Sequence, residues 1–316
     1  MNMPRIPSVY PKEEYLVPPE GGHSACPGCA IPLALRYFLK AAGGEVILVV
    51  PPGCTLAIIM FPSFSLMYQG RPITAFPALF GSTAVFASGL KAALEARGDT
   101  ETEVVAWAGD GATYDIGLQT LSGAAERNDD IIYVCCDNEG YQNTGNQRSS
   151  ATPWGAITST NILPTIKSER KKDIMQIMSG HSIPYAATAT IAYPDDLMRK
   201  VRKAKEIKGF RFLHILTPCV TGWVFPSELT VEVSRLAVET KIFPLYEVEN
   251  GTVLTINKEP EGLPVEEYLR IQRRFKHLTS QQRADIQREV DRKWKQLQWL
   301  ANYKDNGSEV NFRKST

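Results

Sequence analysis

Two groups of residues in this 316-residue chain have types and spacings that could do chemistry. The first lies in His-Ser-Ala-Cys-Pro-Gly-Cys, residues 23–29, where Cys26 and Cys29 flank a Pro-Gly turn. A Cys-x-x-Cys pair can work as a thiol–disulfide couple, as half of a zinc site or as half of an iron–sulfur site. His23 beside it is read as an exposed or capping residue. The second group is Gly109-Asp110-Gly111, closing one apolar run, with Asn138 closing the next. A carboxylate and an amide oxygen at two adjacent strand ends can hold one hard cation such as Mg²⁺, while the glycines let the backbone approach a diphosphate. A lone Gly-Asp-Gly is an ordinary turn; the matching Asn138 makes the pattern selective. Cys135 and Cys136 lie inside the apolar run before Asn138 and are read as core thiols.

These residues need a scaffold, and the hydrophobic pattern supplies one. EVILVVPPGC, EVVAWAGDG and DIIYVCCDNEG read as short buried strands ending in turns, and LALRYFLKAA, STAVFASGLKAALEARG and IGLQTLSGAAER as the helices between them. Further on, IPYAATATIA reads as a strand, PDDLMRKVRKAKEIKG as a helix with an acidic start and a basic end, and FRFLHILTPC as a last core strand that ends the sheet at Cys219. Strands alternating with helices predict an α/β fold with a mostly parallel sheet and helices on both faces, whose ligands sit beyond the carboxyl ends of the strands. The polar segment 144–170 is too long for an idle connection and is expected to be functional. Three regions are expected: an extended N-terminal arm over residues 1–20, with Pro4, Pro7, Pro11, Pro18 and Pro19; an α/β domain over 21–240; and an appended C-terminal hairpin and helical extension over 241–316. The extension carries an Asn-Gly hairpin signal and a charged helical pattern with Trp294, Leu297 and Leu300 along one side.

Composition narrows the partners. With 35 Lys and Arg against 34 Asp and Glu there is no basic field for nucleic acid. The N-terminus lacks a secretory pattern and no apolar run reaches membrane-spanning length, so no membrane association and a cytoplasmic location are expected. Six cysteines are too few for a disulfide scaffold in a chain this long and favour a site instead.

The pairing of Asp110 with Asn138 suits thiamine diphosphate, and here a resemblance becomes specific. GDGATYDIGLQTLSGAAERNDDIIYVCCDNEGYQNTGNQRSSATPWGA resembles the beta subunits of 2-oxoacid:ferredoxin oxidoreductases of the pyruvate-type branch, in a similarity running from about residue 20 to about residue 250. The resemblance implies a thiamine-diphosphate-binding fold, with cofactor contacts at Gly109, Asp110, Gly111, Ala112, Asn138, Gly140, Tyr141, Asn143 and Thr144. Within that set Asp110, Asn138 and the carbonyl of Gly140 would hold Mg²⁺, and Asn143 would be catalytic, reaching the substrate or its adduct. It implies further that Cys26, Cys29, Cys54 in PPGC and Cys219 in TPCVTGW jointly hold one [4Fe–4S] cluster; by residue type alone, four cysteines also permit Zn²⁺.

The implied function is oxidative decarboxylation of a small 2-oxoacid, with electrons leaving one at a time through the cluster to external ferredoxin. One thiamine-type domain and no ferredoxin-like cysteine runs imply partners: an alpha subunit supplying the glutamate that activates thiamine, and gamma and ferredoxin-like delta subunits or fused equivalents. Pyruvate members carry a Trp- and His-containing segment after the third cysteine. This chain has TLAIIMFPSFSLMYQGRPITAFPALFGS, with Phe76 in place of a histidine. The reading therefore leans slightly to oxalate, with pyruvate and acetyl-CoA formation close behind. A non-redox thiamine decarboxylase with a structural metal and a pure electron-carrier subunit without thiamine are the remaining alternatives.

Overall fold

The computed structural model describes residues 23–60, 67–68 and 71–302; the expected N-terminal arm lies outside them. The strands are β1 (Val46–Val50), β2 (Met67–Tyr68), β3 (Arg71–Pro72), β4 (Thr74–Pro77), β5 (Glu103–Gly109), β6 (Ile132–Asp137), β7 (Tyr185–Thr190), β8 (Arg211–Leu216), β9 (Tyr246–Glu249) and β10 (Val253–Ile256). Except for the small β2–β3 pair, they form one eight-stranded sheet in the order β10-β9-β7-β8-β6-β5-β1-β4. The six strands from β7 to β4 are parallel. Strands β6, β7 and β8 are buried along their whole length, which is why they read as continuous runs rather than as alternating ones.

Helices cover both faces. On one side α1 (Ala30–Ala42) and α6 (Pro194–Glu206) pack over Leu48, Val105, Trp107, Val134 and Leu213. On the other, α3 (Thr83–Ala96), α4 (Leu118–Glu126) and α5 (Ile174–Ser179) pack over Val49, Val104, Ala106, Tyr133 and Phe212. Successive strand residues point to opposite faces, so Cys135 enters the second core and Cys136 the first, both fully buried as expected. The short helix α2 (Cys54–Met60) follows β1 directly. A third core joins α7 (Val220–Trp223), α8 (Thr230–Glu239) and α9 (Val265–Leu269) to a 3₁₀ turn at Arg273–Phe275.

Two expectations about the C-terminal part need correction. The hairpin β9–β10 forms at Asn250-Gly251, both in the left-handed region, as its sequence signal demands. It is not an appendage, and the sheet does not end at Cys219: β9 pairs antiparallel with β7 and extends the sheet. The open edge of β7 offers unpaired backbone groups that the hairpin satisfies. In α10 (Ser280–Asn302), Trp294 is buried, Leu297 is half-buried and Leu300 is exposed, so the expected stripe packs only at its start.

Candidate functional site

The carboxyl ends of β1, β5 and β6 open on a cavity of about 340 Å³. Gly109, Asp110, Gly111, Ala112, Asn138, Gly140, Tyr141, Asn143 and Thr144 all line it, together with Cys54, Trp107, Cys136 and Gln142. Every cofactor-contact residue expected from the sequence thus meets in one place, because parallel strands deliver their end turns to one edge.

Asp110 closes β5 and leads into a π-helical turn, Gly111–Asp115. Its carboxylate is buried, and Oδ2 accepts the Ser149 hydroxyl at 2.5 Å. Burial and the negative charge of Asp137 push its carboxyl well above the usual range, so a cation beside it would be needed to keep it ionised. The side-chain amide of Asn138 supplies that context: one of its two polar atoms stands 2.9 Å from Asp110 Oδ1 and 2.8 Å from the Gly140 carbonyl oxygen. With the amide nitrogen turned there, it donates to both. With the oxygen turned there, three oxygens converge as ligands do on a Mg²⁺ ion, whose octahedral edge is roughly 3 Å for bonds of about 2.1 Å.

Gly111 is a close approach. A Cβ there would stand 2.4 Å from the Tyr141 ring, so only glycine lets the ring close over the turn. The Tyr141 hydroxyl donates to Asp115 Oδ2 at 2.9 Å, and burial together with that carboxylate pushes the phenol well above its usual range. Tyr141 therefore seats the turn and is not poised to exchange a proton. Asn143 and Thr144 are exposed at the cavity mouth.

Behind the turn lies a charged cluster that sequence reasoning missed. Asp137 Oδ2 accepts from Lys171 at 2.6 Å and pairs with His214 Nε2 at 2.7 Å. Although burial opposes ionisation, these partners hold the Asp137 carboxyl well below the usual range. Lys171 also donates to Glu139, at 2.9 Å, and Arg274 donates to the other oxygen of Glu139 at 2.6 Å. Glu139 itself has φ 60°, a left-handed conformation inside the turn that carries Asn138 and Gly140. The Thr152 hydroxyl donates to the Glu139 carbonyl at 2.8 Å, so segment 149–152 laces the turn from above. The only trace of this role in the sequence is the polar character of segment 144–170.

The four cysteines assigned to a cluster surround the same sheet end. Cys26 and Cys29 close a turn in which the Cys29 N–H donates to the Cys26 carbonyl at 2.9 Å, and Cys29 caps α1. Gly28 in that turn has φ 76° and presses on Ser227, while Thr230 donates to its carbonyl at 2.6 Å, tying the turn to the start of α8. Cys54 opens α2, and Cys219 caps α7 and accepts the Gly222 N–H at 3.3 Å. Burial pushes the Cys29 and Cys54 thiols up to about 12, with Cys219 and Cys26 among the neighbours that raise both. The four are therefore within electrostatic reach of one another. Among the described residues, however, no three His, Cys, Asp or Glu side chains converge into a closed metal cage. His23 is exposed, and its ring nitrogen accepts the Ala25 N–H at 3.3 Å, a local cap.

Comparison with known proteins identifies the family. The chain is 47% identical over 284 residues to the pyruvate synthase subunit PorB of Methanothermobacter marburgensis, covering 89% of this chain and 96% of that one. It is 44% identical over 290 residues to the ketoisovalerate oxidoreductase subunit VorB of Pyrococcus furiosus, covering 89% and 92%. The chain belongs to the beta subunits of the 2-oxoacid:ferredoxin oxidoreductases. The thiamine pyrophosphate enzyme C-terminal TPP binding domain matches residues 64–215 of this beta subunit. Its fold is also that of a chain in the 2-oxoglutarate:ferredoxin oxidoreductase of Magnetococcus marinus, solved with 2-oxoglutarate, coenzyme A and succinyl-CoA bound, at a TM-score of 0.54 and 21% identity over 70% of this chain and 79% of that chain. The beta subunit is thus part of a thiamine-diphosphate-dependent oxidoreductase, and among its described residues no helix is long and apolar enough to cross a membrane.

Proposed function

We propose that this beta subunit binds Mg²⁺ and thiamine diphosphate in the cavity at the ends of β5 and β6 and takes part in the oxidative decarboxylation of a small 2-oxoacid. The observation that carries the reading is one Asn138 amide atom standing 2.9 Å from Asp110 Oδ1 and 2.8 Å from the Gly140 carbonyl oxygen, beside the close-packed Gly111 turn. Asp110, Asn138 and Gly140 hold the ion, the Gly109–Ala112 turn faces the diphosphate, and Asn143 at the mouth hydrogen-bonds the substrate. Bound thiamine supplies the nucleophilic carbon and the electron sink for loss of CO₂.

The donor set fits an iron–sulfur cluster at the cysteines. Thiols that burial holds near 12 stay protonated unless a metal takes them as thiolates, and the Gly222 N–H already points at the Cys219 sulfur. Cys26, Cys29, Cys54 and Cys219 would hold one [4Fe–4S] cluster, with Cys54 lining the thiamine cavity so that electrons have a short path out. Among the described lining residues Asp110 is the only carboxylate, and it is committed to the ion. The glutamate that activates thiamine then comes from an alpha subunit, and relay to external ferredoxin from gamma and delta subunits or fused equivalents.

For the substrate, the relatives' names point to pyruvate and ketoisovalerate rather than to oxalate. The test is turnover of the purified native complex with ferredoxin and coenzyme A, offered pyruvate, 2-ketoisovalerate or oxalate in turn, alongside analysis for thiamine, Mg, Fe and sulfide. Ferredoxin reduction with pyruvate or 2-ketoisovalerate is expected. Preferential turnover of oxalate would overturn the substrate reading, and a complex free of thiamine would overturn the whole.

A further inference from the structure

The proposed metal turn and the proposed cluster loop are joined by one side chain. Trp223 ends α7, the four-residue helix that Cys219 caps, and its ring is fully buried. Its indole N–H donates to the backbone carbonyl of Asn138 at 2.9 Å. A second donor reaches the same carbonyl, Gln142 Nε2 at 3.2 Å, and Gln142 lies so tightly on α7 that a Cβ at Gly222 would stand 1.9 Å from its amide oxygen. Helix α7 is therefore seated on the Asn138 turn with almost no freedom to slide.

The C-terminal part holds the indole in place. The Arg274 guanidinium stacks 3.9 Å from the Trp223 ring centroid, and its Nη2 donates to Glu139, the residue after Asn138. Next to it, the Arg273 N–H donates to the carbonyl of Val224 at 3.1 Å. Val224 follows Trp223 with φ 55° and ψ 77°, a left-handed conformation that costs a β-branched residue free energy and persists only where its surroundings enforce it. The enforcing contacts here come from residues about fifty positions further along the chain.

We propose that Trp223 is a positioning residue shared by both sites, fixing Asn138 through its N–H and Cys219 through its helix, and that Arg274 locks it. The proposal rests on the reading that Asn138 helps to hold Mg²⁺ and thiamine diphosphate. The experiment separates the two ideas by measuring thiamine diphosphate affinity of the purified complex in Mg²⁺: binding by the wild type tests the reading, and the variants test the proposal. Trp223→Phe keeps an aromatic ring but removes the donor, and Arg274→Met keeps the bulk but removes the pair with Glu139. Each should weaken thiamine diphosphate binding by about three- to tenfold, the scale of one lost hydrogen bond. Each should also speed alkylation of Cys219 by iodoacetamide, read by mass spectrometry. Val201→Ala, at a buried α6 residue outside the cavity lining, controls for lost stability: it should lower the melting temperature and leave both readouts unchanged. Wild-type affinity and wild-type Cys219 labelling in both Trp223→Phe and Arg274→Met would overturn the proposal, as would equal changes in Val201→Ala. If Trp223→Phe fails to assemble, Arg274→Met alone decides.

Discussion

Asp110 is buried, faces the charge of Asp137 and accepts from the neutral Ser149 hydroxyl. That is an unfavourable position for a carboxylate and a favourable one for a carboxylate that holds a cation. Asp110→Ala in the intact complex should therefore lower Mg²⁺-dependent thiamine diphosphate affinity by about a hundredfold or more, and Asn138→Ala by about tenfold, since an amide is a neutral ligand. Titration of the cofactor with Mg²⁺ present checks the order; equal losses would mean that charge is not what holds the ion. At the cysteines, serine at position 26, 29, 54 or 219 should remove iron and sulfide from the purified complex, whereas Cys135→Ala should retain both because its thiol faces a closed apolar core. Stoichiometric zinc without sulfide would replace the cluster by a structural metal. The convergence of Asp110 and Asn138 on one cavity was legible in the sequence because both stand at the ends of apolar runs. Ser149 and Trp223 were not: their partners lie 39 and 85 positions away, and neither serine nor tryptophan announces such a contact. Cys136 was read correctly as a core thiol, yet it also forms part of the cavity wall, which its position in a strand could not reveal.

Among the elements, the hairpin is held to the sheet by electrostatics as much as by backbone pairing. Glu247 on β9 is buried and accepts from Arg199 at 2.6 Å and Lys203 at 2.8 Å, both on α6, and from Tyr185 at 2.9 Å on β7. Burial pushes its carboxyl up, but these donors bring it down to about 2 from an ordinary 4.5. A carboxyl whose folded value lies below its unfolded one contributes stability above the unfolded value and loses it as pH falls through the folded one. Because Arg199 and Lys203 are partly exposed, the contribution is on the order of 1–3 kcal/mol. Glu247→Gln should therefore lower the melting temperature at pH 6 and converge with the wild type as the pH approaches 2. Parallel melting curves across that range check this; a difference independent of pH would assign the effect to packing. Five of the six parallel strands were legible as mainly apolar runs because both of their faces are buried; β4, exposed along its length, was not. The placement of β9 was not, since an Asn-Gly signal fixes how two strands pair with each other and says nothing about which sheet edge receives them.

At the scale of the molecule, an exposed apolar surface adjoins the cavity, which Phe80 itself lines. Leu79 is 70% exposed and Ile116 57%, and Phe76 and Phe80 are also exposed near the ends of β4 and β5. The Gly81 backbone carrying the first group packs against Ile116, so these side chains form one neighbourhood beside the proposed thiamine site. An alpha subunit seated there would cover apolar surface and close the cavity in one step, and it would bring the glutamate that this lining lacks. On the proposed reading the function is divided: ion, diphosphate and cluster on this side, activation of thiamine on the other. The sequence suggests that division through a missing part, one Gly-Asp-Gly domain where the chemistry calls for a second, but holds no sign of where the partner sits. Losing a general acid–base group costs about 10²–10⁴ in rate. The purified chain, supplied with thiamine diphosphate, Mg²⁺, ferredoxin and either pyruvate or 2-ketoisovalerate, should accordingly show almost no dye reduction. Adding the alpha subunit should restore turnover, and Leu79→Asp together with Ile116→Asp should prevent that rescue while leaving the melting temperature of the isolated chain unchanged, because both side chains project into solvent. Appreciable turnover by the chain alone would place the activating carboxylate within it. Rescue that ignores the two aspartates would move the partner to another face of the fold.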